Sequence, residues 1–244
     1  MTTINTRFVV IAIFKNETID MKEWIEHYIW QGASHIFLAD NESTDSPLDI
    51  LQPYIDTKFI TYVKIPGNAM QRHVYYSFTK LLQELESPPD WICIADLDEF
   101  WFGQEKPMNE VLSDYPGTVH VVSRRWREFG PSEDGFHPPS LRKNLVYRNP
   151  NETSPKCCFR TLCVNPENVL IHEVDGVPIE NIHYEKELLH IHHYFCRSAE
   201  YWNSIKIPRG YAMGDFNVYA CENTWRNRSE PCTYLDTNLA NRVD

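Results

Sequence analysis

The chain predicts an α/β fold with a mostly parallel central sheet, and three features of its first forty residues predict it. Residues 7–14 are a continuous apolar run of strand length, the pattern of a strand buried on both faces. Met21, Trp24, Ile25, Tyr28 and Ile29 follow at helical spacing, and a second short apolar run at residues 35–39 closes on Asp40. Strand, crossover helix and strand in that order form the β-α-β unit that parallel pairing requires.

The elements carry local signals. Asp20-Met21-Lys22-Glu23 has the form of a capping box opening the first helix, and Gly32 ends it. Residues 41–47 are a polar turn leading to a short helix near residues 48–51, and residues 59–65 are a third strand. Val74, Phe78, Leu81, Leu82 and Leu85 mark a helix over about 70–86, stopped by Ser87-Pro88-Pro89-Asp90. Residues 91–95 are a fourth strand, ending on Asp96. Residues 111–123 are expected to hold a short helix, a turn at Pro116-Gly117 and a strand. Residues 128–151 are rich in Pro, Gly and charge and read as a long loop over a site. Short strands are expected over 159–164 and 188–194, then an irregular tail from Arg209 with one helix. No repeat or linker divides the chain, so a single domain is expected over residues 1–244.

Composition excludes some functions. The chain has 244 residues, 42% of them hydrophobic, enough for a large core. A formal net charge of -11 argues against nucleic acid as a partner. An acidic protein that binds a phosphate ligand needs a local positive charge, and a bound metal ion is one source. No stretch reaches the roughly 18 apolar residues of a membrane span, and the N-terminus lacks the marks of a secretory leader. A cytoplasmic chain with no integral membrane segment is therefore expected. Seven scattered cysteines, with Cys157 and Cys158 adjacent, read as reduced thiols.

The chemistry centres on Asp96-Leu97-Asp98-Glu99, just after a buried strand. In extended chain, residues two apart share a side, so Asp96 and Asp98 are expected on one face with Leu97 turned to the core. Carboxylates this close repel unless a cation sits between them. Oxygen ligands favour Mg²⁺ or Mn²⁺, which keeps positions open for phosphate oxygens. In open α/β sheets, ligands bind beyond the carboxyl ends of the strands. Asp40 also closes a strand, and its carboxylate could accept from a base or a ribose hydroxyl; a turn or cap role is the alternative. Ser43 to Asp45 read as turn and cap residues. His190, His192 and His193 cluster near a strand; His192 and His193 face opposite ways, so at most one of them is a candidate third metal ligand. A zinc site is disfavoured, because Cys157, Cys158 and Cys163 lack the spacing it needs. The chain has no glycine-rich phosphate loop of the Gly-x-Gly-x-x-Gly or Walker type, and no Gly-x-Ser-x-Gly elbow.

The chain carries an ordered series of motif segments: Lys15-Asn16-Glu17, then Glu23-Trp24-Ile25-Glu26-His27-Tyr28, then Gly32-Ala33-Ser34-His35-Ile36-Phe37, then Asp40-Asn41-x-Ser43-Thr44-Asp45. It continues with Gln71 before a helix, Asp96-x-Asp98-Glu99-Phe100, Trp126-x-x-Phe129-Gly130, Lys156 and His172. His193-Tyr194-x-x-x-Ser198-x-Glu200-Tyr201, Lys206 and Gly210 close it. The series resembles the family-2-like glycosyltransferases, nearest the branch that shades into family 92 and the domains once grouped as unknown-function family 23.

The resemblance implies a GT-A fold, with residues 7–101 as the nucleotide-sugar half and 102–244 as the acceptor side. It also implies a nucleotide-sugar donor with UDP as the default, Mn²⁺ or Mg²⁺, a glycan or glycoprotein acceptor, and transfer with inversion. Carried over, Asp40 holds the base or ribose, with Glu17, Gln71 and Arg72 lining the donor site and Lys156 adding charge for phosphate. Asp96 contacts ribose and metal, Asp98 binds the metal, and His193 lies near metal and diphosphate. The family's base is an acidic residue of a Glu-Asp motif. Here Glu133-Asp134 is the one such dipeptide, so Asp134 and Glu133 are the candidate catalytic base, with Glu128 next. Two rival readings stay open: a metal-dependent phosphodiesterase, which needs more converging ligands, and a non-catalytic nucleotide-sugar-binding module.

Overall fold

The computed structural model describes residues 6–210 and 222–242. In chain order its main elements begin β1 (Phe8–Phe14), α1 (Thr18–Trp30), β2 (His35–Asp40), α2 (Leu48–Asp56) and β3 (Ile60–Lys64). Next come α3 (Gln71–Gln83), β4 (Trp91–Ile94), β5 (Glu99–Gly103), α4 (Met108–Asp114), β6 (Val121–Arg125) and β7 (Arg127–Glu128). Then follow α5 (Leu141–Asn144), β8 (Tyr147–Arg148), β9 (Pro155–Arg160), β10 (Ile182–Tyr184) and β11 (Leu189–His193). The last are α6 (Ala199–Tyr201), α7 (Ile207–Arg209), α8 (Glu222–Ser229) and β12 (Tyr234–Leu235). The chain packs as two compact units, Met1–Arg125 with Ser154–Ile191, and Trp126–Thr153 with His192–Asp244.

The first unit is built on a seven-stranded sheet in the order β10-β6-β9-β4-β1-β2-β3. β4, β1, β2 and β3 are mutually parallel, β9 runs antiparallel to β4 and β6, and β10 is parallel to β6. The parallel strands are apolar on both faces: β1 buries Phe8 to Ala12, and all four residues of β4 are buried. One core holds Ile11, Phe37, Ile92, Ile94 and Phe159 of the sheet against Val74, Phe78 and Leu82 of α3.

Helix α1 covers part of the sheet with aromatic residues whose polar tips hold backbone. Trp24 Nε1 donates to the carbonyls of Asp96 at 2.9 Å and Glu99 at 3.1 Å. The Tyr28 hydroxyl donates to the Glu99 carbonyl at 3.0 Å. Gln31 Oε1 accepts from the N–H groups of Gly103 and Met108, each at 3.1 Å. The helix ends on Gly32, whose φ of +79° suits glycine. The Gly32 N–H reaches Ile29 O and the Ala33 N–H reaches Tyr28 O, the paired bonds of a Schellman end.

Three local expectations change. Helix α1 opens at Thr18, and Asp20 is buried inside it. The cap comes instead from a distant loop: Asp45 Oδ2 accepts from the Thr18 N–H at 2.9 Å and its hydroxyl at 2.7 Å. A cap from outside the local chain leaves no capping-box spacing to read. Residues 96–99 form a turn closed by the Glu99 N–H on Asp96 O at 2.9 Å, so strand alternation does not relate Asp96 to Asp98. Residues 128–151 are not structureless, because they contain part of β7, then α5 and β8. Of the tail, residues 211–221 lie outside the described residues, and α8 supplies a helix.

The turn leading into β11 is held by a buried carboxylate. Glu185 Oε1 accepts from the N–H groups of Lys186, Glu187 and Leu188 at 2.7, 2.6 and 2.8 Å, and Oε2 takes the Tyr115 hydroxyl. Burial alone would raise its pKa, but the hydroxyl and the three N–H donors outweigh that and hold it at about 2. A folded-state pKa below the unfolded value stabilises above the unfolded pKa and loses that contribution as pH falls towards the folded one. Glu185→Gln is therefore expected to cost about 1–3 kcal/mol at pH 7. The difference from wild type should shrink as pH drops from about 4.5 to about 2, which urea melts across that range check.

Among the described residues, no helix is long and apolar enough to cross a membrane. The six described cysteines form no disulfide; Cys221 lies outside the described residues.

Candidate active site

Because β1, β2 and β4 are parallel, their carboxyl ends lie along one edge of the sheet. The loops that leave this edge interlock. After β1, the Asn16 N–H donates to Ser43 Oγ at 2.9 Å, and Asn16 Oδ1 accepts from the Thr44 N–H at 2.7 Å. After β2, Asp40 Oδ1 accepts from the Ser43 N–H at 2.8 Å. Asn16, Glu42 and Ser46 have φ of 52°, 64° and 57°, a left-handed conformation that non-glycine residues adopt at a cost. Ser43 and Asp45 are the turn and cap residues expected from their types.

Asp40 is buried, and its Oδ2 accepts the Tyr62 hydroxyl at 2.6 Å. Burial and the neighbouring carboxylate push the Tyr62 phenol pKa well up, so it stays protonated as a donor. Glu17 is buried after the loop that follows β1, at the N-cap position of α1. Gln71 is the first residue of α3 and is buried, while Arg72 beside it is exposed.

The turn after β4 gathers charge. Asp96 is partly exposed, Asp98 is 6% exposed and Glu99 is fully buried. Lys156, inside β9, is also fully buried; its Nζ lies 2.9 Å from Asp96 Oδ2 and 3.4 Å from Glu99 Oε2. Asp96 Oδ1 accepts from the Tyr75 hydroxyl at 3.1 Å and from Gln71 Nε2 at 3.3 Å. Glu99 Oε2 also accepts the Asp96 N–H at 2.9 Å, whereas Glu99 Oε1 is buried with no hydrogen-bond partner. Burial drives the Glu99 pKa upward; Lys156 opposes the shift, and Asp96 and Asp98 add to it. For Lys156, burial would depress the pKa, but Asp96 and Glu99 reverse this and hold the ammonium charged.

These residues fit a hard divalent cation. Asp98 and Glu99 each offer a carboxylate oxygen, and the two oxygens lie within 4.8 Å of each other. A buried carboxylate oxygen with no donor calls for a cation or a proton. Of the expected donor-edge residues, the structure brings Gln71, Asp96, Asp98 and Lys156 into one group, together with Glu99. It places Asp40 at the end of β2, on the same sheet edge but separated from β4 by β1. Two participants were missed in the sequence, Tyr75 and Tyr62. Tyr75 was legible: it stands four residues after Gln71 on one helix face. Tyr62 had no signal beyond its place in a strand.

The second unit holds the remaining candidates. β11 passes into it from the first unit, and there His192 and His193 lie opposite Arg127 and Glu128 of β7. His193 is buried; its ring packs on Trp126 at 4.2 Å between centroids, and its Nδ1 lies 3.7 Å from Glu128 Oε1. Glu128 is 2% exposed and forms an ion pair with Arg228 of α8. Ser198 Oγ accepts from the Tyr201 N–H at 2.9 Å, and Glu200 Oε2 accepts from the His137 N–H at 2.8 Å. The motif residues of this half thus form its internal frame. Glu133 and Asp134 stand exposed on a turn, where Asp134 Oδ1 accepts the Phe136 N–H at 3.0 Å.

The family model described as Glycosyltransferase family 92 matches residues 10–206. The chain belongs to glycosyltransferase family 92, a class of sugar-transferring enzymes, and its mostly parallel seven-stranded sheet is the α/β arrangement expected of the GT-A fold. No curated protein sequence matches it. Among solved structures it is similar to S. aureus TarS 1-349 in complex with UDP-GlcNAc, at 13% identity over 80% of this chain and 61% of that one, with a TM-score of 0.46. The same fragment with UDP matches at 14% identity over 77% and 60%, with a TM-score of 0.45. A mycobacterial protein matches at 12% identity over 78% and 65%, with a TM-score of 0.42. The chain spans about three fifths of the TarS fragment.

Proposed function

We propose that this chain transfers a sugar from a nucleotide-sugar donor, a UDP-sugar, to an acceptor hydroxyl on a glycan or glycoprotein, with inversion and with Mn²⁺ or Mg²⁺ bound. The observation that carries the reading is the buried carboxylate pair Asp98 and Glu99 after β4, with Asp40 at the end of β2 on the same sheet edge. When bound, the ion supplies positive charge to the departing nucleoside diphosphate. Asp98 holds it directly, with His193 as a further ligand the family resemblance implies, and Asp96 contacts the ribose. Asp40 accepts from base or ribose, while Glu17, Gln71 and Arg72 line the donor. Lys156 keeps Asp96 in place and adds a fixed positive charge near phosphate. UDP is the default nucleotide that the family resemblance implies.

The base removes the acceptor proton as the acceptor oxygen attacks the anomeric carbon. Asp134, with Glu133 beside it, is assigned that role on the Glu-Asp motif that the family resemblance implies; both are exposed. A thermal-shift screen of UDP-, GDP- and dTDP-sugars with Mn²⁺ tests the donor. A UDP-sugar at 100 times its dissociation constant is expected to add about 2.7 kcal/mol of stability. No shift with any nucleotide sugar contradicts the reading. Asp134→Asn is expected to lower kcat about 10²-fold or more without changing the UDP shift; an unchanged kcat removes Asp134 from the role.

A further inference from the structure

Within the proposed donor site, the geometry points to Glu99, not Asp96, as the second carboxylate ligand of the divalent ion, with Lys156 as the positioning residue that makes it so. This deepens the metal-dependent reading and rests on it. Both oxygens of Asp96 are already occupied. Oδ2 takes the Lys156 ammonium at 2.9 Å, and Oδ1 takes the Tyr75 hydroxyl and the Gln71 amide. A cation at Oδ2 would meet the Lys156 ammonium, and one at Oδ1 would compete with the Tyr75 hydroxyl and the Gln71 amide.

Glu99 is held differently. Its Oε2 accepts the Asp96 N–H at 2.9 Å and lies 3.4 Å from Lys156, while Oε1 is buried with no partner. The residue is fully buried. Such an oxygen is costly unless something binds it. Asp98, one residue earlier, offers an oxygen within 4.8 Å of a Glu99 oxygen, a separation that one hard cation with bonds of about 2.0–2.6 Å can span. The backbone is pinned for the purpose, because the Glu99 carbonyl accepts from both Trp24 and Tyr28. Lys156 thus has two effects: it withdraws Asp96 from the ion, and it anchors one Glu99 oxygen so that the other is presented.

The test is Mn²⁺ binding read by electron paramagnetic resonance, with Mn²⁺ alone and with UDP, on wild type, Asp98→Asn, Glu99→Gln and Asp96→Asn. Glu99→Gln and Asp98→Asn are expected to weaken Mn²⁺ binding at least tenfold, and Asp96→Asn to change it less than threefold. Glu99→Gln binding within threefold of wild type overturns the inference, as does a tenfold loss in Asp96→Asn. If Glu99→Gln does not fold, Glu99→Asp, which keeps the charge beside Lys156 but draws the carboxylate back by one methylene, replaces it and carries the same expectation. Wild type that binds Mn²⁺ neither alone nor with UDP overturns the metal-dependent reading itself. Wild type that binds while the variants disagree overturns the ligand assignment alone.

Discussion

Asp98→Ala is expected to lower kcat/KM for sugar transfer by at least about 10²–10³-fold, about 2.7–4 kcal/mol of transition-state stabilisation. The size follows from what the residue faces. Asp98 is 6% exposed in a turn whose carbonyls are pinned by Trp24 and Tyr28, so its carboxylate is fixed in place before substrate arrives. Charge builds on the departing diphosphate in the proposed reaction, and an ion held by Asp98 meets that charge without reorganisation. Two measurements check it. Turnover of a UDP-sugar with acceptor should fall, and the stabilisation by UDP with Mn²⁺ should vanish while circular dichroism stays native. Near-normal turnover in a folded Asp98→Ala protein would contradict the proposed function.

The second large effect is on stability. Lys156→Met leaves the Asp96 and Glu99 carboxylates facing a fully buried position without their ammonium. Removing one member of a buried ion pair costs about 3–5 kcal/mol, because the remaining charge stays desolvated. For a chain of this length, each kcal/mol shifts the midpoint by about 2–4 °C, so Tm should fall by roughly 10 °C. Adding Glu99→Gln should return much of that loss, because it removes the stranded charge as well. A Lys156→Met midpoint within about 2 °C of wild type would show that the pair contributes nothing net. The prediction concerns the protein without ligand, so it stands whichever nucleotide is bound.

Much of the first unit was legible because parallel strands announce themselves. The runs at β1, β2 and β4 are apolar on both faces, and the crossover helices carry their own periodicity. The site residues at the strand ends were legible for the same reason: once β2 and β4 were placed, Asp40 and Asp96 fell at one edge. The ordered motif series named the family, which the match over residues 10–206 shows. The division of the chain was less legible. The expected boundary near residue 101 separates halves in sequence, whereas the first compact unit also takes in residues up to Arg125 and then Ser154–Ile191. β9 enters the sheet from far along the chain, and no local pattern marks that.

The sequence alone determined the fold class and placed Asp40 and the acidic segment from Asp96 to Glu99 at the carboxyl ends of two parallel strands. These depend on periodicity and on residues close in the chain, which a linear reading can follow. Only the tertiary structure decided how the turn's charges are shared. Lys156 lies 60 residues from Asp96, yet it stands 2.9 Å from its carboxylate, while Asp45 caps a helix that begins 27 residues before it. Electrostatics and hydrogen bonds act through distance in space, and residue spacing carries no record of that distance. Asp96 and Asp98, expected to share a face in extended chain, are therefore distinguished by a buried ammonium that the motif itself does not contain.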